Sequence, residues 1–260
     1  MIAGSVILVT GASSGIGRAT ALRLADLGAH LVVHGADKDR LAALAEEAGA
    51  VPVRADLSEP AAMSALCDDA LAAHGHIDAV VNNAGFGWAG SVTAMSAEQV
   101  RRLVAVDLVA PMELTRLLLP AMLGRGRGHF CFVGSIVART GVRGEAVYAA
   151  AKSGLDGFAE SLRYEVSNCG IRVSVVVPGA VDTPFFARRG SAYNRRVPSP
   201  RSPEQVADAV VRCLSDGRAE AYVPGWLRLP VALQAVAPKT FRALAARFGQ
   251  PPTESPWNGA

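Results

Sequence analysis

Seven short runs of β-branched and other apolar residues recur along the chain, each followed by a longer stretch with helical spacing. The runs are Val6–Val9, Leu31–Val33, Val51–Val53, Ala79–Val81, His129–Val133, Val173–Val177 and a shorter one at Ala221–Val223. None alternates strictly between apolar and polar residues, the pattern of strands covered on both faces. Between them, Ile16, Ala19, Leu22, Leu24 and Leu27 form one stripe closed by Gly28, and Leu41, Leu44, Ala45 and Ala48 another closed by Gly49. Glycine just past the last apolar position is a helix stop. Ser58-Glu59-Pro60 and Ser202-Pro203-Glu204 read as helix starts with proline in the first turn. Strand–helix alternation repeated this often predicts a doubly wound α/β sandwich of three layers around a parallel sheet of about seven strands.

The 260 residues exceed the usual size of one domain, but no Pro/Gly linker or internal repeat divides them, so residues 1–260 are expected to form a single unit. An apolar content of 50% excludes disorder. A formal charge of +3 is too small for the electrostatic footprint of a nucleic-acid binder. Cys67, Cys131, Cys169 and Cys213 lie at least 38 residues apart, without zinc-ligand spacing, and read as small buried hydrophobes of a reducing compartment, so no metal is expected. With no signal-like h-region and no spanning apolar run, the expected location is the cytoplasm. Two stretches break the alternation: Thr183–Arg201, which carries five arginines and no acid, and the apolar and basic Trp226–Gly249. The Pro-rich Gln250–Ala260 reads as a loose tail.

The chemistry concentrates at the ends of the strands. Thr10-Gly11-Ala12-Ser13-Ser14-Gly15-Ile16-Gly17 joins the first strand to the first helix. Glycines there permit a tight turn and close approach of a pyrophosphate, whose charge the helix N-terminus stabilises. Asn82-Asn83-Ala84-Gly85 follows the fourth strand, and Ser135 ends the fifth. Tyr148-Ala149-Ala150-Ala151-Lys152 opens a long helix, and Pro178-Gly179-Ala180-Val181-Asp182-Thr183 follows the sixth strand. Together and in this order, these motifs resemble the short-chain dehydrogenase/reductase family of about 250 residues, over residues 5 to 225 or so. The resemblance implies a Rossmann-type fold, an NAD(P)-dependent alcohol/ketone oxidoreductase, and a homodimer or homotetramer built through the helices around 97–123 and 147–167. It also implies cofactor contacts from Gly11, Ser13, Ser14, Gly15, Ile16, Gly17, Ala36, Asp56, Leu57, Asn83, Ala84, Gly85, Tyr148, Lys152, Pro178, Gly179, Val181 and Thr183.

Tyr148 and Lys152, four apart, face one side of a helix. The chain has 26 cationic residues but only three lysines, Lys38, Lys152 and Lys239. A compact ammonium suits a site that must place one cation beside a phenol and still donate to hydroxyl groups. Such an ammonium favours the phenolate and is expected to lower the tyrosine pKa from its ordinary value near 10 toward working pH. Tyr148 is then general acid in carbonyl reduction and general base in alcohol oxidation, with Ser135 donating to the substrate oxygen. Taken singly, Ser135 reads as a strand-end serine satisfying turn backbone.

One position departs from the family. Val106-Asp107-Leu108 places an aspartate where the family has a catalytic asparagine. By the resemblance that residue holds a water near the lysine. A carboxylate accepts but cannot donate, so Asp107 is expected to pair with Lys152 and to slow the proton relay; Asp107→Asn is then expected to preserve or raise turnover. Neither cofactor discriminator is present: the acidic position at the end of the second strand falls on Gly35 and the basic one on Ala36. Asp37 stands slightly late and favours NAD if the loop is shifted, whereas Lys38, Arg18 and Arg40 can neutralise a phosphate. Without a repelling carboxylate at Gly35, the balance leans to NADP over NAD. Asp56 reads either as an adenine contact or as an acid at a helix N-terminus.

Phe86, Trp88, Ile136, Val142 and Phe185 are the candidate substrate contacts, which implies a largely apolar small-molecule substrate. Thr183–Arg201 matches the family's substrate lid, and its arginines read as solvated or as contacts to an anionic substrate. Trp226–Gly249 is expected to pack on the sheet edge or a subunit rather than on a membrane surface. The alternative to an enzyme is a dinucleotide-binding regulatory or scaffold protein whose catalysis Asp107 has weakened.

Overall fold

The computed structural model describes residues 2–190, 193 and 199–248. Seven parallel strands form one sheet: β1 (Val6–Val9), β2 (His30–Gly35), β3 (Val51–Arg54), β4 (Ala79–Asn82), β5 (Gly128–Val133), β6 (Ile171–Pro178) and β7 (Glu220–Val223), in the order β3-β2-β1-β4-β5-β6-β7. Every expected strand is present; β3, β4, β5 and β7 are one residue longer than the apolar run that marked them, and β2 and β6 three residues longer.

Helices α1 (Gly15–Asp26), α2 (Lys38–Ala48) and α3 (Pro60–His74) link the first four strands. Next come α4 (Ala97–Val104), a wide π-type turn at Ala105–Val109, and α5 (Ala110–Arg125). The short α6 (Ile136–Thr140) and long α7 (Ala146–Glu165) follow β5; α8 (Phe185–Arg188) and α9 (Pro203–Asp216) follow β6; α10 (Arg228–Val236) and α11 (Pro238–Phe248) follow β7. Alternate residues of each strand serve opposite faces. Ile7 and Val9 pack with Leu24, Leu44 and Val210, whereas Val6 and Leu8 pack with Leu66, Leu118 and Leu155. Phe130 and Phe132, both fully buried on the second face, each contribute roughly 1.5–3 kcal/mol relative to exposure.

The expected stops hold. Gly49 ends α2 in the left-handed region, and Gly28, also at positive φ, follows the last residue of the α1 cap. Ser202 caps α9 in a reciprocal box with Gln205, and α3 starts at Pro60 as expected, with Glu59 before it and the Ser58 hydroxyl donating to Asp56 at 2.7 Å. Cys67, Cys131 and Cys213 are buried as expected, whereas Cys169, in the turn after α7, is exposed. Among the described residues no group of His, Cys, Asp and Glu could hold a metal, and no helix is long and apolar enough to cross a membrane.

Trp226–Phe248 forms a short turn and two helices beyond the β7 edge. Leu227 is buried there, while Trp226, Leu229, Val236 and Leu244 stay exposed. Gln250–Ala260, read as a loose tail, lies outside the described residues.

Candidate functional site

The strand order reverses between β1 and β4, and a groove with a cavity of about 330 Å³ opens at the carboxyl ends of the strands. Gly11, Ser13, Ser14, Gly15 and Ile16 line one side of it. Gly11 has φ +64°, and a Cβ there would lie 2.7 Å from the Ala84 Cα. Gly17 turns away from the groove; a Cβ on it would lie 2.3 Å from the Gly11 carbonyl oxygen, so its role is to let α1 close on the turn. No acidic residue stands in the first turn of α1, and Ser14 makes no side-chain capping bond. The positive end of that helix therefore faces the groove without an anion from its own first turn, which fits a diphosphate.

Asn83, Ala84 and Gly85 face this turn. The Asn83 amide donates to the carbonyls of Thr10 (2.9 Å) and Gly11 (3.2 Å), and the Thr10 hydroxyl accepts from the Asn83 and Ala84 N–H groups at 3.0 Å. Asn83 thus shapes the turn through its side chain. Sequence reasoning overlooked His34. Its Nδ1 accepts from the Gly11 N–H at 3.4 Å and its Nε2 meets the Ala55 carbonyl at 3.1 Å, so a neutral ring clamps the turn to the end of β3. Burial holds the His34 pKa below its ordinary value.

At the far end, Ala36, Asp56 and Leu57 line the groove. Asp37 caps α2, accepting from the Arg40 N–H at 3.0 Å and pairing with the Arg40 guanidinium at 2.6 Å. Arg18 pairs with Glu47. Two of the three cations expected to serve a phosphate are therefore engaged elsewhere. Arg54, not anticipated, donates from Nε to the Ala36 carbonyl at 3.0 Å. Asp56 accepts from the Ser58 N–H and hydroxyl, which hold its carboxyl below the usual range, and lies 3.6 Å from Arg102.

Near the middle of the groove, Ser135 ends β5 and caps α6, accepting from the Val137 N–H at 3.2 Å, and lines the groove together with Tyr148. One turn along α7, the Lys152 Nζ lies 5.9 Å from the Tyr148 ring centre, donates to the Val133 carbonyl at 3.3 Å and meets Asp107 Oδ2 at 3.3 Å. All four side chains are buried. The lowering of the phenol pKa expected from Lys152 does not emerge. Burial pushes the Tyr148 pKa well up, the Asp107 and Glu145 carboxylates push it further, and the Ser135 hydroxyl and Arg189 only partly oppose them. Burial also raises the Asp107 carboxyl, against the pull of Lys152 and the Phe86 N–H.

A short chain dehydrogenase profile matches residues 5–194. The chain belongs to the short-chain dehydrogenase/reductase family. It is an oxidoreductase. It is 33% identical over 230 residues to the 3-oxoacyl-(acyl-carrier-protein) reductase FabG of Escherichia coli K12, covering 85% of this chain and 93% of that protein. It is 30% identical over 256 residues to dehydrogenase/reductase SDR family member 7B of Xenopus laevis, covering 91% and 79%. The short-chain dehydrogenase of Sphingobium yanoikuyae, solved in complex with NADPH, superposes with a TM-score of 0.79 at 29% identity, covering 97% of this chain and 98% of that one.

Around the middle of this short-chain dehydrogenase/reductase groove, Phe86, Val142 and Phe185 form an apolar wall with Phe186, and the Phe185 ring lies 5.6 Å from that of Tyr148. Trp88 and Ile136 do not line the groove; they pack behind it in a cluster with Met95, Leu103 and Val137. Pro178, Gly179, Val181 and Thr183 line it past β6. The 183–201 stretch leaves and returns at one point, where the Arg201 N–H donates to Ala180 (2.9 Å) and the Asp182 N–H to Arg201 (2.8 Å). Its charge is not wholly unanswered. Arg189 is buried, 2.7 Å from Glu145, the residue just before α7. Arg195 and Arg196 lie outside the described residues.

Proposed function

We propose that this enzyme transfers a hydride between a nicotinamide dinucleotide and a carbonyl or alcohol substrate, with Tyr148 as general acid/base. The observation that carries this reading is the convergence of Tyr148, the Ser135 hydroxyl and Lys152 beside a groove whose other side is the glycine-rich turn. The turn residues Gly11, Ser13, Ser14, Gly15 and Ile16 would hold the diphosphate, with Gly17 and Asn83 fixing the turn's shape. Ala36, Asp56 and Leu57 would surround the adenosine, and Ala84, Gly85, Pro178, Gly179, Val181 and Thr183 the nicotinamide half. When bound, the cofactor supplies or accepts the hydride. Lys152, a point charge with three donors, holds hydroxyl groups there and sets the charge beside Tyr148. Ser135 donates to the substrate oxygen, and the Tyr148 hydroxyl delivers its proton to that oxygen in reduction and recovers one in oxidation.

NADP is the better fit. Gly35 carries no carboxylate, Asp37 is committed to Arg40, and Arg54 stands against Ala36 where a 2′-phosphate would project. The NADPH complex of the Sphingobium yanoikuyae enzyme supports this choice. Phe86, Val142, Phe185 and Phe186 favour a largely apolar substrate. Exposed Val109, Met112 and Leu123 on or beside α5, and Tyr164 on α7, support pairing with a second copy. The buried carboxylate at Asp107 favours a second reading, a dinucleotide-binding scaffold with weakened catalysis. Turnover across a panel of apolar ketones and aldehydes, with NADPH and NADH in parallel, separates the two. The enzyme reading expects NADPH-dependent reduction; NADPH binding without turnover of any member supports the scaffold.

A further inference from the structure

We propose that Asp107 locks the Lys152 ammonium in a buried ion pair and so keeps the Tyr148 phenol protonated, confining alcohol oxidation to alkaline pH while carbonyl reduction persists well above neutrality. The inference rests on the reading of Tyr148 as the acid/base group.

Asp107 is fully buried in the π-type turn between α4 and α5, where its carboxylate meets the loop after β4 and helix α7. Its Oδ1 accepts from the Phe86 N–H at 3.0 Å, and its Oδ2 lies 3.3 Å from Lys152 Nζ. Oδ1 accepts a hydrogen bond, while Oδ2 meets the ammonium as an ion pair rather than as a directed hydrogen bond, so the position is fitted to a group that offers an acceptor to Phe86 and a negative charge to Lys152. An asparagine there would satisfy one partner and turn an N–H toward the other. The departure from the family pattern is therefore built into the local geometry.

The charges facing Tyr148 come from each element around it. Lys152 lies on its own helix α7, Glu145 at the head of that helix, Asp107 on the π-type turn and Arg189 just past α8, while Ser135 contributes a neutral hydroxyl. The Asp107 and Glu145 carboxylates oppose the phenolate and Arg189 favours it, with Asp107 the stronger of the two carboxylates. Removing the Asp107 charge therefore favours the phenolate. With Asp107 in place, a phenolate formed as the proton passes to the substrate oxygen sits opposite a carboxylate. Recovery of a proton is then rapid, and the base needed for oxidation is scarce at neutral pH.

Ultraviolet titration of tyrosinate in the folded protein, without cofactor, reads the phenol directly when wild type is compared with Tyr148→Phe. The expected wild-type result is no Tyr148 ionisation below about pH 10. Asp107→Asn, and Asp107→Ser as a smaller neutral replacement, are expected to lower that midpoint and the alkaline limb of alcohol oxidation by about one pH unit or more. A Tyr148 signal near neutrality in wild type overturns the proposal, whether or not the variants fold. So does a folded neutral variant whose titration and oxidation profile match wild type. If instead Tyr148→Phe keeps full turnover, it is the acid/base reading itself that fails.

Discussion

Mild acid should destabilise this fold through one buried imidazole. His129 sits on β5, between β4 and β6, and its Nε2 lies 2.8 Å from the Ser174 hydroxyl. That hydroxyl gives its own proton to the Arg218 carbonyl at 2.7 Å, so the ring must donate to it from Nε2–H. Burial, with Arg172 nearby, pushes its pKa down from 6.5 to about 4. A depressed histidine pKa makes the contribution fully present above 6.5, and it drains away as pH falls toward the folded value. At about pH 5, one and a half units below the ordinary value, the loss is ~2 kcal/mol at ~1.4 kcal/mol per unit. His34 acts in the same direction. Acidic groups titrate over the same range, so the informative quantity is a difference between proteins. His129→Gln keeps a donor toward Ser174 and cannot titrate. Denaturant unfolding at about pH 7.5 and about pH 5 should show wild type losing ~2 kcal/mol more than the variant. Parallel losses would refute the reasoning.

Three further outcomes follow from the groove. Gly17→Ala, whose methyl would meet the Gly11 carbonyl, is expected to weaken NADPH binding at least tenfold by calorimetry (about 1.4 kcal/mol) while the far-ultraviolet spectrum stays unchanged. Arg54→Ala should raise the NADPH dissociation constant roughly tenfold and leave that for NADH nearly unchanged; equal effects would remove Arg54 from the phosphate site. Glu145→Gln removes the carboxylate that faces the buried Arg189 guanidinium and should cost about 3 kcal/mol in denaturant unfolding, whereas a variant replacing both partners with apolar residues should recover much of the loss.

The strands and the glycine-rich turn were legible because their signals are local: apolar runs, helix stops and a fixed motif order. Ser135, Tyr148 and Lys152 were legible for the same reason, two of them four residues apart on one helix. What escaped depends on contacts between distant segments. Glu145 and Arg189 are 44 residues apart and become a buried pair only when the segment ending α8 packs against the head of α7. His34 reads as one polar residue in an apolar run until β3 and the turn close on it. The direction of the Tyr148 shift depends on burial and on Asp107 and Glu145 more than on its helix neighbour Lys152. Trp88 and Ile136 have the composition of substrate contacts, but packing turns them into the wall behind the groove. Asp107 was visible as an unusual residue that should pair with Lys152; the Phe86 N–H that holds its other oxygen was not, since Phe86 lies in a distant loop.

The central claim is that the Tyr148 hydroxyl transfers the proton. Tyr148→Phe removes that oxygen from a ring buried beside Phe185 and leaves the apolar packing in place. With the best ketone of the panel and NADPH, kcat should fall by roughly 10²–10⁴-fold, while the NADPH dissociation constant stays within about twofold. A Tyr148→Phe protein that binds NADPH and reduces the same ketone at the wild-type rate would contradict the account.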